Sequence, residues 1–245
     1  MLGPLPTRPS ATVAAEQALR TAILSGELAA GERLPPEREL AIRLGVSRLT
    51  LRAALATLSA SGLLSVRQGS GYTVRDVRET GGADLLPGLV ELARARGRLP
   101  ETTADLLRLR RHLAGAALEA LVEQPPKVSA RKAYATAVDR FAAAAESGDL
   151  VALAAADLGV VRALLDATGS MVLRVCLNPI VAIVAEHAAL RAAIYDEPAE
   201  NLSGWRALGA WLEEPSASTI PVLLGVLAQR DRATIQRLRR DARKR

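Results

Sequence analysis

The sequence predicts a mainly α-helical chain in two parts: three short helices closed by a hairpin, then a longer all-helical bundle. Three observations predict it. Up to about Val77 the 245-residue chain has short periodic segments punctuated by Gly and Pro, with alternating apolar residues either side of one Gly-rich turn. From Asp84 onward it is almost wholly Ala, Leu, Val and Arg at helical spacing. Between them Glu-Thr-Gly-Gly-Ala, residues 79–83, has the composition of a hinge. The expected boundaries are 1–78 for the first domain, 79–83 for the linker and 84–245 for the second.

In the first part, Val13–Leu24 forms a helix with Val13, Ala14, Ala18, Ala22 and Ile23 along one side. Gly26–Arg33 is a loop. Leu34-Pro35-Pro36 then opens a second helix, Glu37–Leu44, because Pro is tolerated in a first helical turn and Glu meets the positive helix end. That helix buries Leu40, Ala41 and Leu44, and Gly45 stops it where a left-handed residue is needed. Ser47 caps a third helix, Arg48–Ser61, whose inner face is Leu51, Ala54, Leu55 and Leu58. Its first turn exposes Arg48, Leu49, Thr50 and Arg52. A helix, a short Gly-containing turn and a helix with a polar first turn make a helix-turn-helix, whose second helix enters the DNA major groove. Leu63–Gln68, Gly69-Ser70-Gly71 and Tyr72–Arg75 then read as a β-hairpin, and attached to that helix the hairpin is a wing. An isolated pair such as Arg48 and Arg52 is ordinarily a solvated charge. On the docking turn, with a wing behind it, the pair becomes a DNA-reading candidate.

The second part has helical apolar spacing in Asp105–Val122, where Leu106, Leu109, Leu113, Ala116, Leu118 and Leu121 form the inner face. Similar patterns recur in Arg131–Glu146, Asp149–Ala167, Ser170–Tyr195, Ala199–Leu212 and Ser218–Arg243. Pro179 is expected to kink or split its helix, with Asn178 as the cap.

Bulk properties narrow the function. A net charge of +6 favours a polyanionic partner, although an Arg-rich chain with few Lys is also what a GC-rich genome produces. The single cysteine, Cys176, excludes an internal disulfide and is expected as a core thiol. The first ten residues lack a signal-peptide pattern, and the longest apolar-rich stretch is too short and too interrupted to cross a bilayer, so a cytoplasmic location without membrane contact is expected. No phosphate-binding loop, His-Glu-x-x-His or Gly-x-Ser-x-Gly motif occurs, so no catalytic residue is assigned and no enzyme is expected. With only two His in the chain, a three-histidine metal site is impossible, and no metal or cofactor is expected.

The stretch LPPERELAIRLGVSRLTLRAALATLSASGLLSVRQGSGYTV resembles the DNA-binding domain of the GntR regulators, over residues 10–77. The resemblance implies that Arg38 contacts phosphate and base, Arg48 and Arg52 base edges, and Ser47 and Thr50 phosphate. Gln68 and Gly69 would reach DNA from the wing. Arg offers guanine a bidentate fork, while hydroxyls and backbone N–H groups fix register. Leu49 stands where the family carries a small polar residue or Pro, and is placed to touch a thymine methyl. One short recognition helix reads too few base pairs to be selective, so a homodimer on a pseudo-palindromic double-stranded operator is expected.

The all-helical second part is similar to the C-terminal domain of the FadR subfamily. Glu79-Thr80-Gly81-Gly82 with Asp84-Leu85-Leu86, and Asp157 with Arg162-Ala163-Leu164 and Thr168-Gly169-Ser170, resemble its fatty-acid-responsive group. That implies a repressor released from DNA by a small-molecule effector, long-chain acyl-CoA, with Arg110, Asp157, Arg162 and Tyr195 at the pocket. Two departures stand against a full transfer. Leu227, Ala228, Gln229 and Gln236 occupy the places of that group's ligand-contacting Arg-Tyr-Gly and Trp, and Val161 replaces the first metal-binding His of wider relatives. A different metabolite, or none, remains the alternative.

Overall fold

The computed structural model describes residues 10–67 and 71–243, and the chain divides into two compact units, Met1–Ala95 and Arg96–Arg245.

The first unit is built on α1 (Ala11–Ser25), α2 (Glu37–Arg43) and α3 (Arg48–Ala60). The inner face of α1 is Ala15, Leu19 and Ile23, whereas Val13, Ala14 and Ala18 are exposed. The helix is thus turned from the expected alanine-rich side, because burying Leu19 removes far more apolar surface from water than burying alanines. Gly45, at φ +64°, closes α2, and the backbone N–H of Val46 donates to the carbonyl of Ala41 at 3.0 Å. In α3, Leu51, Ala54, Leu55 and Leu58 are all buried, as their spacing requires. Strands β1 (Leu64–Arg67) and β2 (Gly71–Val74) pair antiparallel with Leu64 opposite Val74. The loop before α2 adds a third edge that its sequence does not announce. There the N–H of Leu34 donates to the Tyr72 carbonyl and the N–H of Val74 to the Glu32 carbonyl, both at 2.9 Å.

After the wing come a single turn, α4 (Val77–Thr80), a 3-10 turn at Ala83–Leu85 and α5 (Leu86–Ala95). Leu85 joins the core of Leu19, Leu51, Leu55 and Leu64, and α5 lies along α1. The division therefore falls after Ala95 rather than within 79–83. Thr80 Oγ1 donates to the Gly62 carbonyl at 2.9 Å, tying that segment down. A Cβ on Gly81 would stand 2.5 Å from the Val77 carbonyl oxygen, and one on Gly82 would stand 2.7 Å from Asp84 Oδ1. At Gly81 the Val77 carbonyl and the Leu85 side chain leave no space for a Cβ.

The second unit consists of α6 (Leu99–Glu123), α7 (Val128–Ser147), α8 (Leu150–Thr168), α9 (Met171–Glu186), α10 (Ala188–Ile194), α11 (Pro198–Trp211) and α12 (Ile220–Ala242). Its core gathers Leu121, Phe141, Leu153, Val160 and Leu212. In α6 the expected Leu106, Leu118 and Leu121 are buried, joined by Leu107 and Ala117, while Leu109 and Ala116 are exposed, so the inner face overlaps the expected one and is shifted toward 107 and 117. Asp149 caps α8, accepting from the N–H groups of Val151 and Ala152 at 2.8 and 3.3 Å.

Pro179 does not split its helix: α9 continues unbroken from Met171 to Glu186. The chain turns instead at the extended His187, with 98° between Met171–Val184 and Ala188–Ile194. Pro179 frees the carbonyl of Val175, four residues earlier, and Val175 is exposed, so water can satisfy it. Cys176 lies on that exposed side of α9 and is not a core thiol. Among the described residues no single helix is long and apolar enough to cross a membrane, and no three His, Cys, Asp or Glu side chains group as metal ligands.

Candidate functional site

The first unit offers a polar helix end. Ser47 Oγ accepts the N–H of Thr50 at 3.0 Å and lies 2.8 Å from Thr50 Oγ1, which stops the first turn of α3 from fraying. Beyond that cap Arg48 is exposed, and Leu49 keeps 80% of its surface in water. So exposed a leucine, beside an arginine on a helix end, is uncompensated in the free protein. Arg52, one turn on, donates through Nε to Glu37 Oε2 at 2.6 Å. That hydrogen bond and its charge raise the guanidinium pKa above its ordinary value, and the exposed pair fixes where the arginine points. Arg38 is exposed on α2 next to Glu37. The structure thus gathers Ser47, Arg48, Leu49, Thr50 and Arg52 on one helix end. Gln68 and Gly69 lie outside the described residues. In sequence Glu37 reads only as a helix-dipole residue, since its pairing with Arg52 closes across the turn between α2 and α3.

The second unit encloses a cavity of about 220 Å³. Its walls are apolar, with Leu107, Leu118, Val161, Leu164, Leu177 and Leu224 among them, and one side is polar. There Asp157 receives hydrogen bonds from Tyr195 Oη at 3.0 Å and Trp205 Nε1 at 2.8 Å. Removal from bulk water pushes the Asp157 carboxyl above the ordinary aspartate range, and the two hydrogen bonds and the Arg110 and Arg230 charges offset this only in part. Burial next to that carboxylate likewise pushes the Tyr195 hydroxyl up. Tyr134 donates to the Trp205 carbonyl at 2.9 Å and so holds the indole in place.

Asp231, 4% exposed, binds Arg110 at 2.6 Å and Arg111 at 2.5 Å. Arg237 pairs with Asp196 and Glu197, both at 2.8 Å, which ties α12 to the segment after α10. Of the expected pocket residues the structure brings together Arg110, Asp157 and Tyr195. It does not bring Arg162. Five residues past Asp157, that arginine is carried about 140° round α8; it is exposed and lines a separate shallow groove with Arg140 and Asp166. Trp205, Arg230 and Asp231 had no local signal, because nothing in the spacing of α11 and α12 marks which turn meets Asp157.

Residues 11–74 match the family described as bacterial regulatory proteins, gntR family, and residues 105–215 match the FCD domain. The HTH-type transcriptional regulator Mce2R of Mycobacterium tuberculosis is 51% identical over 84 residues, 34% of this chain and 35% of that protein's length. The fatty acid metabolism regulator protein of Edwardsiella ictaluri is 33% identical over 165 residues, 67% of this chain and 65% of its own length. A solved structure of Lar, which controls expression of the Listeria monocytogenes agr system, superposes with a TM-score of 0.58 at 19% identity, covering 96% of this chain and 99% of that one. This last likeness is one of fold. With a helix-turn-helix match at residues 11–74 and an FCD match at residues 105–215, the chain belongs to the GntR family of bacterial regulatory proteins.

Proposed function

We propose that the chain is a sequence-specific DNA-binding transcription regulator, acting as a homodimer on a pseudo-palindromic operator, with an affinity set by a small molecule in the Asp157 cavity. The observation that carries the reading is the capped, exposed first turn of α3, followed by the wing. Arg48 and Arg52 take base edges, Leu49 a thymine methyl, and Ser47, Thr50 and Arg38 the backbone, with Gln68 and Gly69 reaching in from the wing. Such a reader works in the cytoplasm, where its DNA is. The family, and the names of the relatives, support a regulator rather than an enzyme.

The apolar cavity, and relatives named fatty acid metabolism regulators, support a fatty-acyl effector that releases DNA, long-chain acyl-CoA being the form the resemblance implies. Response to another metabolite, or to none, is the alternative. In this reading the coupling runs through the join between α5 and α6, and a tenfold loss of DNA affinity needs about 1.4 kcal/mol of it.

Selection from random duplexes at physiological salt, alongside the Arg48→Ala/Arg52→Ala variant, tests the reading. A palindrome enriched by the wild type and lost in the variant is the expected result, with release on adding acyl-CoA. A palindrome indifferent to acyl-CoA removes that ligand, and no enriched sequence removes the regulator.

A further inference from the structure

Several arginines of the first unit are tied to acids: Arg20 to Glu16, Arg43 to Glu39, Arg52 to Glu37, Arg78 to Asp76 and Arg94 to Glu91. Among the described residues no carboxylate lies within ion-pair distance of Arg33, Arg38, Arg48 or Arg75. Arg38 and Arg48 stand on the helix-turn-helix surface already described, which leaves Arg33 and Arg75. An exposed arginine needs no acid, so what distinguishes these two is where each stem is fixed.

Arg33 lies on the third edge of the wing. It bridges Thr73 antiparallel, and backbone hydrogen bonds clamp it on both sides, from the Leu34 N–H to the Tyr72 carbonyl and from the Val74 N–H to the Glu32 carbonyl, each at 2.9 Å. Opposite residues in antiparallel strands share a face, and successive ones alternate. Leu34, Leu64 and Val74 are buried on the inner face. Arg33, Thr73 and Ser65 therefore share the outer one, where Arg33 and Ser65 are exposed. A Cβ on Gly71 would stand 3.9 Å from Arg33 Nε, so the side chain reaches the level at which β2 leaves the Gly-rich turn. The neighbouring acid is engaged elsewhere: Glu32 Oε2 accepts the N–H of Ala29 at 2.9 Å. Arg75 is placed otherwise. Its N–H donates to the Leu63 carbonyl at 2.9 Å, at the base of the hairpin and away from the turn.

We infer that Arg33 is a further DNA contact, its guanidinium bound to a phosphate of the operator backbone beside the groove that the wing enters. Phosphate oxygens suit the planar fork of a guanidinium, and an exposed one gives up little by exchanging water for them. On the outer face of a strand edge, behind the turn, Arg33 is set back from the base edges, which only groups inside a groove touch. Its part is to fix the register of the wing on the duplex, without reading sequence. The stem is held by the sheet before DNA arrives, so little backbone freedom is lost on binding. The inference rests on the DNA-binding reading of this unit and adds to it a residue that lies outside the helix-turn-helix and the turn of the wing.

Anisotropy titration of the full chain on the duplex that the wild type selects, at salt concentrations between about 50 and 200 mM, tests it. Arg33→Ala should lower the slope of log affinity against log salt by about 1 for each phosphate released, and weaken binding about fivefold per phosphate at physiological salt. The loss should be the same on the selected duplex and on its single-base variants. Arg33→Lys should keep most of the slope, since an ammonium still meets a phosphate as a point charge. Arg75→Ala removes the same charge from the base of the hairpin and should leave the slope at its wild-type value. A wild-type slope in Arg33→Ala, a loss confined to one base position, or an equal effect of Arg75→Ala would each overturn the contact. An unchanged melting temperature of Arg33→Ala shows that the loss is one of binding and not of folding; if that variant melts early, the slope of Arg33→Gln decides instead. Selection with the wild type keeps the two readings apart. A selected duplex on which the alanine variant keeps its slope sinks only the phosphate contact, and no selected duplex sinks the regulator and the contact with it.

Discussion

At the residue scale, three side chains do work that a substitution should expose. Ser47 satisfies the N–H of Thr50, so Ser47→Ala should cost about 1 kcal/mol, read as a lower urea midpoint at unchanged slope. Asp231 neutralises two arginines whose side chains are about a quarter exposed. Asp231→Asn should therefore destabilise by roughly 3 kcal/mol, the low end for a broken buried ion pair, because both arginines keep some water. Asp157 is the opposite case, a carboxylate whose burial costs stability. Its raised pKa means that the folded state holds the proton more tightly than the unfolded chain, so its contribution falls as pH rises from the ordinary value of 3.8 through the raised one. Melting wild type and Asp157→Asn between pH 4 and 7 should show the wild type gaining on the variant as pH falls. A constant difference would mean that Asp157 does not titrate in that window.

At the element scale, α3 is the case where local chemistry and tertiary packing agree. Its buried leucines, its serine cap and the glycine before it all lie at the positions their spacing requires. The orientation of its reading arginine was less legible, since Glu37 lies on another helix, fifteen residues away in sequence. Glu37→Gln should leave the fold intact and free Arg52 to sample other rotamers. Anisotropy titration on the selected operator should then show looser discrimination at the base Arg52 reads, with smaller loss at the other positions. The helix α9 shows the reverse. Proline and asparagine at 178–179 are strong local breakers, yet the break falls at His187, because one freed carbonyl on an exposed face costs little and packing of α10 against α8 and α12 decides the turn.

At the scale of the whole molecule, two units with separate cores should behave as separable folding units. Residues 96–245 produced alone are expected to give a cooperative thermal melt; a molten fragment would show that the first unit completes its fold. By itself the sequence determined the fold class, the reader with its exposed first turn, the helical second unit and the family, because capping, periodicity and turn chemistry act within a few residues of one another. The tertiary structure alone decided which faces turn inward, that Thr80 is tied to the Gly62 carbonyl, that Arg162 points away from Asp157, and that Trp205 meets it. Those outcomes depend on how much area each helix can bury against neighbours distant in sequence, and on which turns of α8, α11 and α12 come level, neither of which the local pattern carries.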